Sequence, residues 1–176
     1  MKVKSPGGHI DHMLRQTRNH HVQLSSMADL KANILLTLAS VVTSLSFRFV
    51  TDPQLKYPAI ILIAFSLLTI VLAIYTVMPK INYPLKHGQK VDVHSPNFNI
   101  LFFGNFVHLD YDEFEKEMET ILNDPSKNYQ AQIREIYTLG KFLAVKKYRY
   151  VRWAYMAFIT GLLLSGIALV GLGLFS

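Results

Sequence analysis

Three stretches of the chain contain no Asp, Glu, Lys or Arg: Ala32 to Phe47, Tyr57 to Met78 and Trp153 to Ser176. A helix at the surface of a soluble core carries a polar stripe every 3.6 residues. Uninterrupted apolar runs predict membrane spans instead, because a charge at mid-bilayer costs a few kcal/mol. The second run, 22 residues, makes a helix of about 33 Å and matches the hydrocarbon thickness. The third, 24 residues, is long enough to span with some tilt. The first has only 16 residues, bracketed by Lys31 and Arg48. Snorkelling of those two side chains extends it to Leu30 through Val50.

Finer patterns lie inside the spans. Asp29, Asn33, Thr37, Ser40, Ser44 and Arg48 recur at helical steps and share one face of the first span, as a helix-packing face or the lining of a pore. Ser66, Thr69 and Thr76 make a thinner stripe in the second. Ala157, Gly161 and Ser165 form a small-xxx-small row in the third, which lets helices approach closely. The bland reading of these stripes is interhelical packing, with hydroxyls bonding across helices. The sharper one is an aqueous path, which three spans can enclose only as several copies.

Outside the spans, Pro79 and Pro84 end the second helix, and residues 79 to 97 read as an irregular loop. Phe98 to Phe106 is dense in aromatics and too short to span. It fits either burial against neighbouring helices or a place at the lipid headgroups. Asp110, followed by Glu113, predicts a capping box. Tyr111, Phe114, Met118, Ile121 and Leu122 then mark one apolar helix face, with Glu115, Glu117 and Glu119 on the solvated side. Asp124-Pro125 stops this helix and starts another. No breaker follows Ser126, so one helix is expected to run on into the third span. His9 to Ser26 likewise runs into the first. The expected fold is an all-α membrane protein with three transmembrane helices, two of them extended into a small cytoplasmic helical region. Its parts are an N-terminal helix (1–31), a transmembrane hairpin (32–78, spans about 32–50 and 57–78), a cytoplasmic loop and amphipathic helix (79–125), and a long helix (126–176) ending in the third span (about 153–175).

Charge adds orientation. The net charge is +6, and the basic residues flank the apolar runs. This is the distribution of a membrane protein facing anionic headgroups, and it does not call for nucleic acid. Lys80, Lys86, Lys90, Lys141, Lys146, Lys147, Arg149 and Arg152 all fall between spans two and three. The positive-inside rule therefore puts the N-terminus and that region in the cytoplasm and the C-terminus outside. Trp153 and Tyr155 stand at the expected interface. No cleavable signal peptide is visible, so the first span is expected to direct insertion.

The chain has no cysteine, which excludes disulfides, thiolate nucleophiles and Cys-based zinc sites. His9 and His12 flank Asp11 without a third ligand at fixed spacing, so no metal is expected. No phosphate loop, GxSxG or HExxH occurs. No catalytic set and no cofactor are expected, and a membrane enzyme is the least supported class. The basic cluster Lys141, Lys146, Lys147, Arg149 and Arg152, interleaved with Tyr148 and Tyr150, has two readings. It is a lipid anchor, or part of a pocket where cations hold phosphate and a ring stacks on a base. For the second reading the candidate ligand residues are Arg18, Lys31, Lys141, Lys147, Tyr148 and Arg149.

Four motifs occur in order around the three spans: Ala28-Asp29-Leu30-Lys31-Ala32-Asn33-Ile34-Leu35; Leu101-Phe102-Phe103-Gly104; Tyr137-Thr138-Leu139-Gly140-Lys141; and Lys147-Tyr148-Arg149-Tyr150-Val151-Arg152-Trp153-Ala154-Tyr155. Together they resemble the transmembrane Pycsar effector family, from about Arg18 to Ala168. The resemblance implies a bacterial antiphage effector of the inner membrane. A partner cyclase would make cyclic CMP or cyclic UMP on infection, and the effector would respond by impairing the membrane as a homo-oligomer. With no added domain in the chain, sensing would fall to the cytoplasmic helices. The alternative is an oligomeric adaptor or structural protein recruiting a partner through residues 79 to 150. Replacing Asn33, Thr37 and Ser40 with leucine separates the two, since only a pore should lose toxicity.

Overall fold

A computed structural model describes residues 3–79, 92–93, 95 and 98–175, with side chains to 172. The described residues form helices and connecting turns, with no strand: α1 (Gly8–Ser46), a 3-10 turn (Phe47–Phe49), α2 (Lys56–Val77), the short α3 (Phe103–Phe106), α4 (Tyr111–Leu122), α5 (Pro125–Phe142), a π-helical segment (Leu143–Tyr148) and α6 (Arg149–Phe175). Three helical stretches are long and apolar enough to cross a membrane: Gly8–Phe49, Lys56–Val77 and Pro125–Leu172. The chain is an all-α membrane protein. The loop expected over 79 to 97 falls almost wholly outside the described residues.

The chain forms two compact units. One comprises residues 1–23 and 79–142, the other 24–78 and 143–176. The helix α1 contributes to both, and so does the helical run that begins at Pro125.

The second unit is built inside out relative to a soluble bundle. The buried residues of α2 are Pro58, Ala59, Ser66, Thr69, Ala73 and Thr76, while Ile60, Leu67, Leu68, Val71 and Ile74 are exposed. Hydrocarbon removes the drive to bury Leu and Ile, so small and hydroxylic residues take the helix contacts. On α6 the contact row is Val151, Ala154, Ala157 and Gly161, all buried. A Cβ on Gly161 would overlap Phe65 of α2, so the glycine sets how closely the helices approach. The Ser165 hydroxyl donates to the Pro58 carbonyl at 3.0 Å, and the Tyr75 and Tyr150 rings meet edge-on at 4.4 Å. Pairing 58 with 165, 65 with 161 and 75 with 150 makes α2 and α6 antiparallel. The second half of α1 joins through Ala28 and Ala32, which cluster with Ala73 and Val151.

In the first unit, α4 and α5 form a helical hairpin. The Asp124 carboxylate accepts from the backbone N–H of Ser126 (2.8 Å) and Lys127 (3.4 Å) and caps α5. The expected capping box at Asp110 is not formed. Asp110 occupies the N-cap position, but its side chain makes no cap bond. Its extended backbone alone starts α4, and the Phe114 N–H closes the first turn on the Asp110 carbonyl.

The aromatic segment is divided between two environments. Phe98, Asn99 and Ile100 are buried, whereas Phe102 and Phe103 are exposed. Asn99 ties its buried end to α5 by donating to the Thr138 hydroxyl at 3.1 Å, while its carbonyl oxygen accepts the Leu101 N–H at 3.1 Å. Arg134 donates to the Phe98 carbonyl at 2.9 Å.

The long helix expected from Ser126 onward is continuous but not uniform. Residues 143–148 wind as π-helix, inserting extra chain per turn and rotating everything downstream relative to a regular α-helix.

Candidate functional site

Lys147 lies in the π-helical segment. Its ammonium donates to both Asp29 carboxylate oxygens (2.7 and 2.6 Å) and to the Ser25 hydroxyl (2.8 Å). All three of its protons are thereby used. The Lys147 side chain is 12% exposed and that of Asp29 37%. One residue on, the Tyr148 hydroxyl donates to the Leu24 carbonyl at 3.2 Å. The π-helical turn thus aims two consecutive side chains at α1. π-Bulges persist where such placement compensates their poorer hydrogen bonding, and they concentrate at functional positions.

These contacts reassign the sequence candidates. Asp29, read as part of the polar face of span one, is the partner of Lys147, read as a ligand cation. In the first unit Arg18 pairs with Glu135 at 3.2 Å. Lys31, Lys141 and Arg149 are exposed and make no ion pair among the described residues. Of the six candidates, Arg18 and Lys141 belong to the first unit, and Lys31, Lys147, Tyr148 and Arg149 to the second.

The polar face of the first span stands clear of the other helices. Asn33, Thr37, Ser44 and Arg48 are exposed, and Ser40 is half-buried. The face that packs is the adjacent one: Ala28, Ala32, Leu35, Ala39, Thr43 and Ser46. Within this chain the hydroxyls of the stripe bond along their own helix. Thr37 donates to the Asn33 carbonyl, Ser40 to Leu36 and Ser44 to Ser40, at 2.8 to 3.0 Å and each within α1. Back-bonding satisfies a hydroxyl without any partner helix. Asn33 has no such solution. Its amide is exposed and makes no hydrogen bond among the described residues. Arg48 lies over the Phe49 ring at 4.5 Å, as suits the end of a span.

Sequence reasoning missed a cavity in the first unit. A cleft of about 320 Å³ lies between α4, α5 and the Phe98–Ile100 segment. Its size falls at the small end of ligand pockets. Lys127, Gln130, Ala131 and Arg134 line it from one face of α5, and Glu117, Thr120 and Ile121 from α4. Among the described residues neither Lys127 nor Arg134 forms an ion pair, since the two that occur there lie elsewhere. The spacing 127, 130/131, 134 is a helical face and was readable. What it faces was not, because Phe98 and Asn99 are about 30 residues away in the chain.

Nearby, Asp11 hydrogen-bonds the buried Tyr129 hydroxyl and raises its pKa above the ordinary phenol value, with burial acting in the same direction. Among the described residues no three His, Asp or Glu side chains stand together as a metal site.

The arrangement contains a half-buried ion-paired junction, an exposed polar stripe in a span, and a cleft with two cations that form no ion pair among the described residues. A family model described as PycTM, Pycsar effector protein domain, matches residues 12–172. The chain belongs to the Pycsar effector family. Neither curated proteins nor solved structures gave a match. Membership covers both units and all three apolar helices. It supports a role in Pycsar antiphage defence at a membrane.

Proposed function

We propose that this Pycsar effector is gated by a cyclic pyrimidine nucleotide, cyclic CMP or cyclic UMP, made by a partner cyclase, and that it then impairs the bacterial inner membrane as a homo-oligomer. The observation that carries the reading is the family match across residues 12–172. The N-terminus and the unit containing α4 and α5 face the cytoplasm, and the C-terminus lies outside, as the basic flanks demand.

Two structural features support the mechanism. First, α1 and the helical run from Pro125 each contribute residues to both units. A nucleotide bound at the cytoplasmic helices can therefore act on the membrane helices through continuous backbone. It shifts the population only as far as it binds one state more tightly than the other. Second, the exposed Asn33 amide needs a partner in the bilayer, where an unbonded polar group is costly. The same stripe of a second copy supplies one, and several copies arranged on this stripe would enclose a polar path.

The test is dye release from liposomes carrying the full chain. Cyclic CMP or cyclic UMP should induce leakage, and Asn33→Leu/Thr37→Leu/Ser40→Leu should abolish it while the protein still inserts. Absence of nucleotide-dependent leakage at every protein density would refute the gating. Nucleotide-independent recruitment of a partner would favour the adaptor reading.

A further inference from the structure

We infer that the cleft between α4, α5 and the Phe98–Ile100 segment is the nucleotide site, with Lys127 and Arg134 holding a single phosphodiester. The inference rests on the proposed nucleotide response and adds where the ligand sits.

The argument is one of unmatched charge. Arg18 is engaged by Glu135, and Lys147 by Asp29 and Ser25. Using either for a ligand means first breaking a formed pair. Among the described residues Lys127 and Arg134 are in no ion pair, and both line the same cleft. Arg134 is fixed by donating to the Phe98 carbonyl at 2.9 Å. One guanidinium nitrogen is therefore committed, which orients the rest of the fork. Lys127 is exposed and makes no side-chain bond among the described residues, which leaves it able to close on a ligand. Both side chains leave α5 on one face, seven residues apart, about 10 Å along the axis. Long side chains converging from two turns apart can share one phosphate between them.

The rest of the lining suits a small nucleotide. Phe98, Ile100, Ile121 and Val93 give apolar surface, while Gln130, Asn99 and Thr120 offer amide and hydroxyl groups for a base or ribose edge. Glu117, also in the lining, disfavours ligands with several negative charges. A cyclic mononucleotide, with one phosphodiester charge, meets that condition, and a volume of about 320 Å³ admits one small ligand.

The test is binding of cyclic CMP and cyclic UMP to the full chain in neutral detergent, by calorimetry. Lys127→Ala removes no contact of the fold, and it should weaken binding about tenfold or more. Ala131→Trp should fill the cleft and abolish binding; should it fail to fold, Lys127→Glu serves in its place. Lys116→Ala, on α4 outside the cleft, should bind like the wild type. Wild-type binding left intact by Lys127→Ala together with Ala131→Trp or Lys127→Glu overturns this site and leaves the nucleotide response standing. Failure of the wild type to bind either nucleotide overturns both. Lys127-dependent binding of short-chain phosphatidylglycerol, with none of either nucleotide, overturns the nucleotide assignment in favour of a lipid headgroup.

Discussion

Two ion pairs join α1 to the helical run that begins at Pro125, one in each unit, and their surroundings differ. Arg18 is 57% exposed and meets Glu135 by one contact at 3.2 Å. Lys147 is 12% exposed and meets Asp29 at 2.6 Å, with Ser25 taking its remaining proton. Water competes for the first pair and screens it, so its net worth is near zero. In the second the ammonium has surrendered most of its hydration, so Lys147 depends on Asp29. Equal-looking charges on the same two helices thus do different jobs. One decorates a surface. The other fixes where the π-helical segment sits against α1.

The strongest challenge to this contrast is Asp29→Ala. It leaves the Lys147 ammonium poorly solvated with only a hydroxyl partner, and should lower stability by about 3 kcal/mol. Thermal unfolding in detergent checks it, with Lys147→Met as the second arm of a double-mutant cycle. A coupling energy below about 0.5 kcal/mol would place this pair with the surface one. If the junction also sets the resting state of the effector, Asp29→Ala should raise nucleotide-independent dye leakage.

Next in size is Gly161→Val, which tests the membrane unit without touching charge. The new side chain meets Phe65 Cβ across the α2–α6 contact, where backbone-bearing helices must separate. Overpacking of this kind costs about 1–3 kcal/mol. Gly166→Val, one turn further on at a position where a Cβ meets nothing, should be nearly silent in the same unfolding assay. Ser165→Ala removes the bond to the Pro58 carbonyl and should cost about 0.6 kcal/mol, the usual worth of a hydrogen bond between membrane helices.

Much of the architecture was legible because the bilayer writes in large letters. Charge-free runs marked the three apolar helices, and Ala157, Gly161 and Ser165 marked the face that meets α2. The first span was only half legible, for a physical reason. Its polar stripe drew the eye, yet the packed face is Ala28, Ala32, Leu35 and Ala39, small residues that pattern reading counts as featureless. Nothing in Leu-Ala-Val-Lys-Lys-Tyr signals a π-helical turn, since each of those residues suits an α-helix equally well. The junction could not be read for the same reason, because Lys147 reaches Asp29 only through that turn. The cleft was hidden by distance along the chain. Asn99, inside an aromatic run, ties the Phe98–Leu101 segment to α5 through Thr138, and no local pattern links positions 39 residues apart.

The smallest expected effect completes the contrast. Arg18→Ala should change stability by less than about 0.5 kcal/mol, because the lost Coulomb energy is offset by regained side-chain freedom and hydration. Glu135 is the better buried partner, with 15% of its side chain exposed, so it is the residue from which a larger cost would come. Glu135→Gln keeps its shape and removes its charge. If Arg18→Ala and Glu135→Gln are both near silent in thermal unfolding, and insensitive to added salt, the first unit's pair is surface decoration. A shift above about 1 kcal/mol for either, declining with salt, would show that this pair too holds α1 to α5. The asymmetry between the two junctions would then lie in the π-helical turn alone.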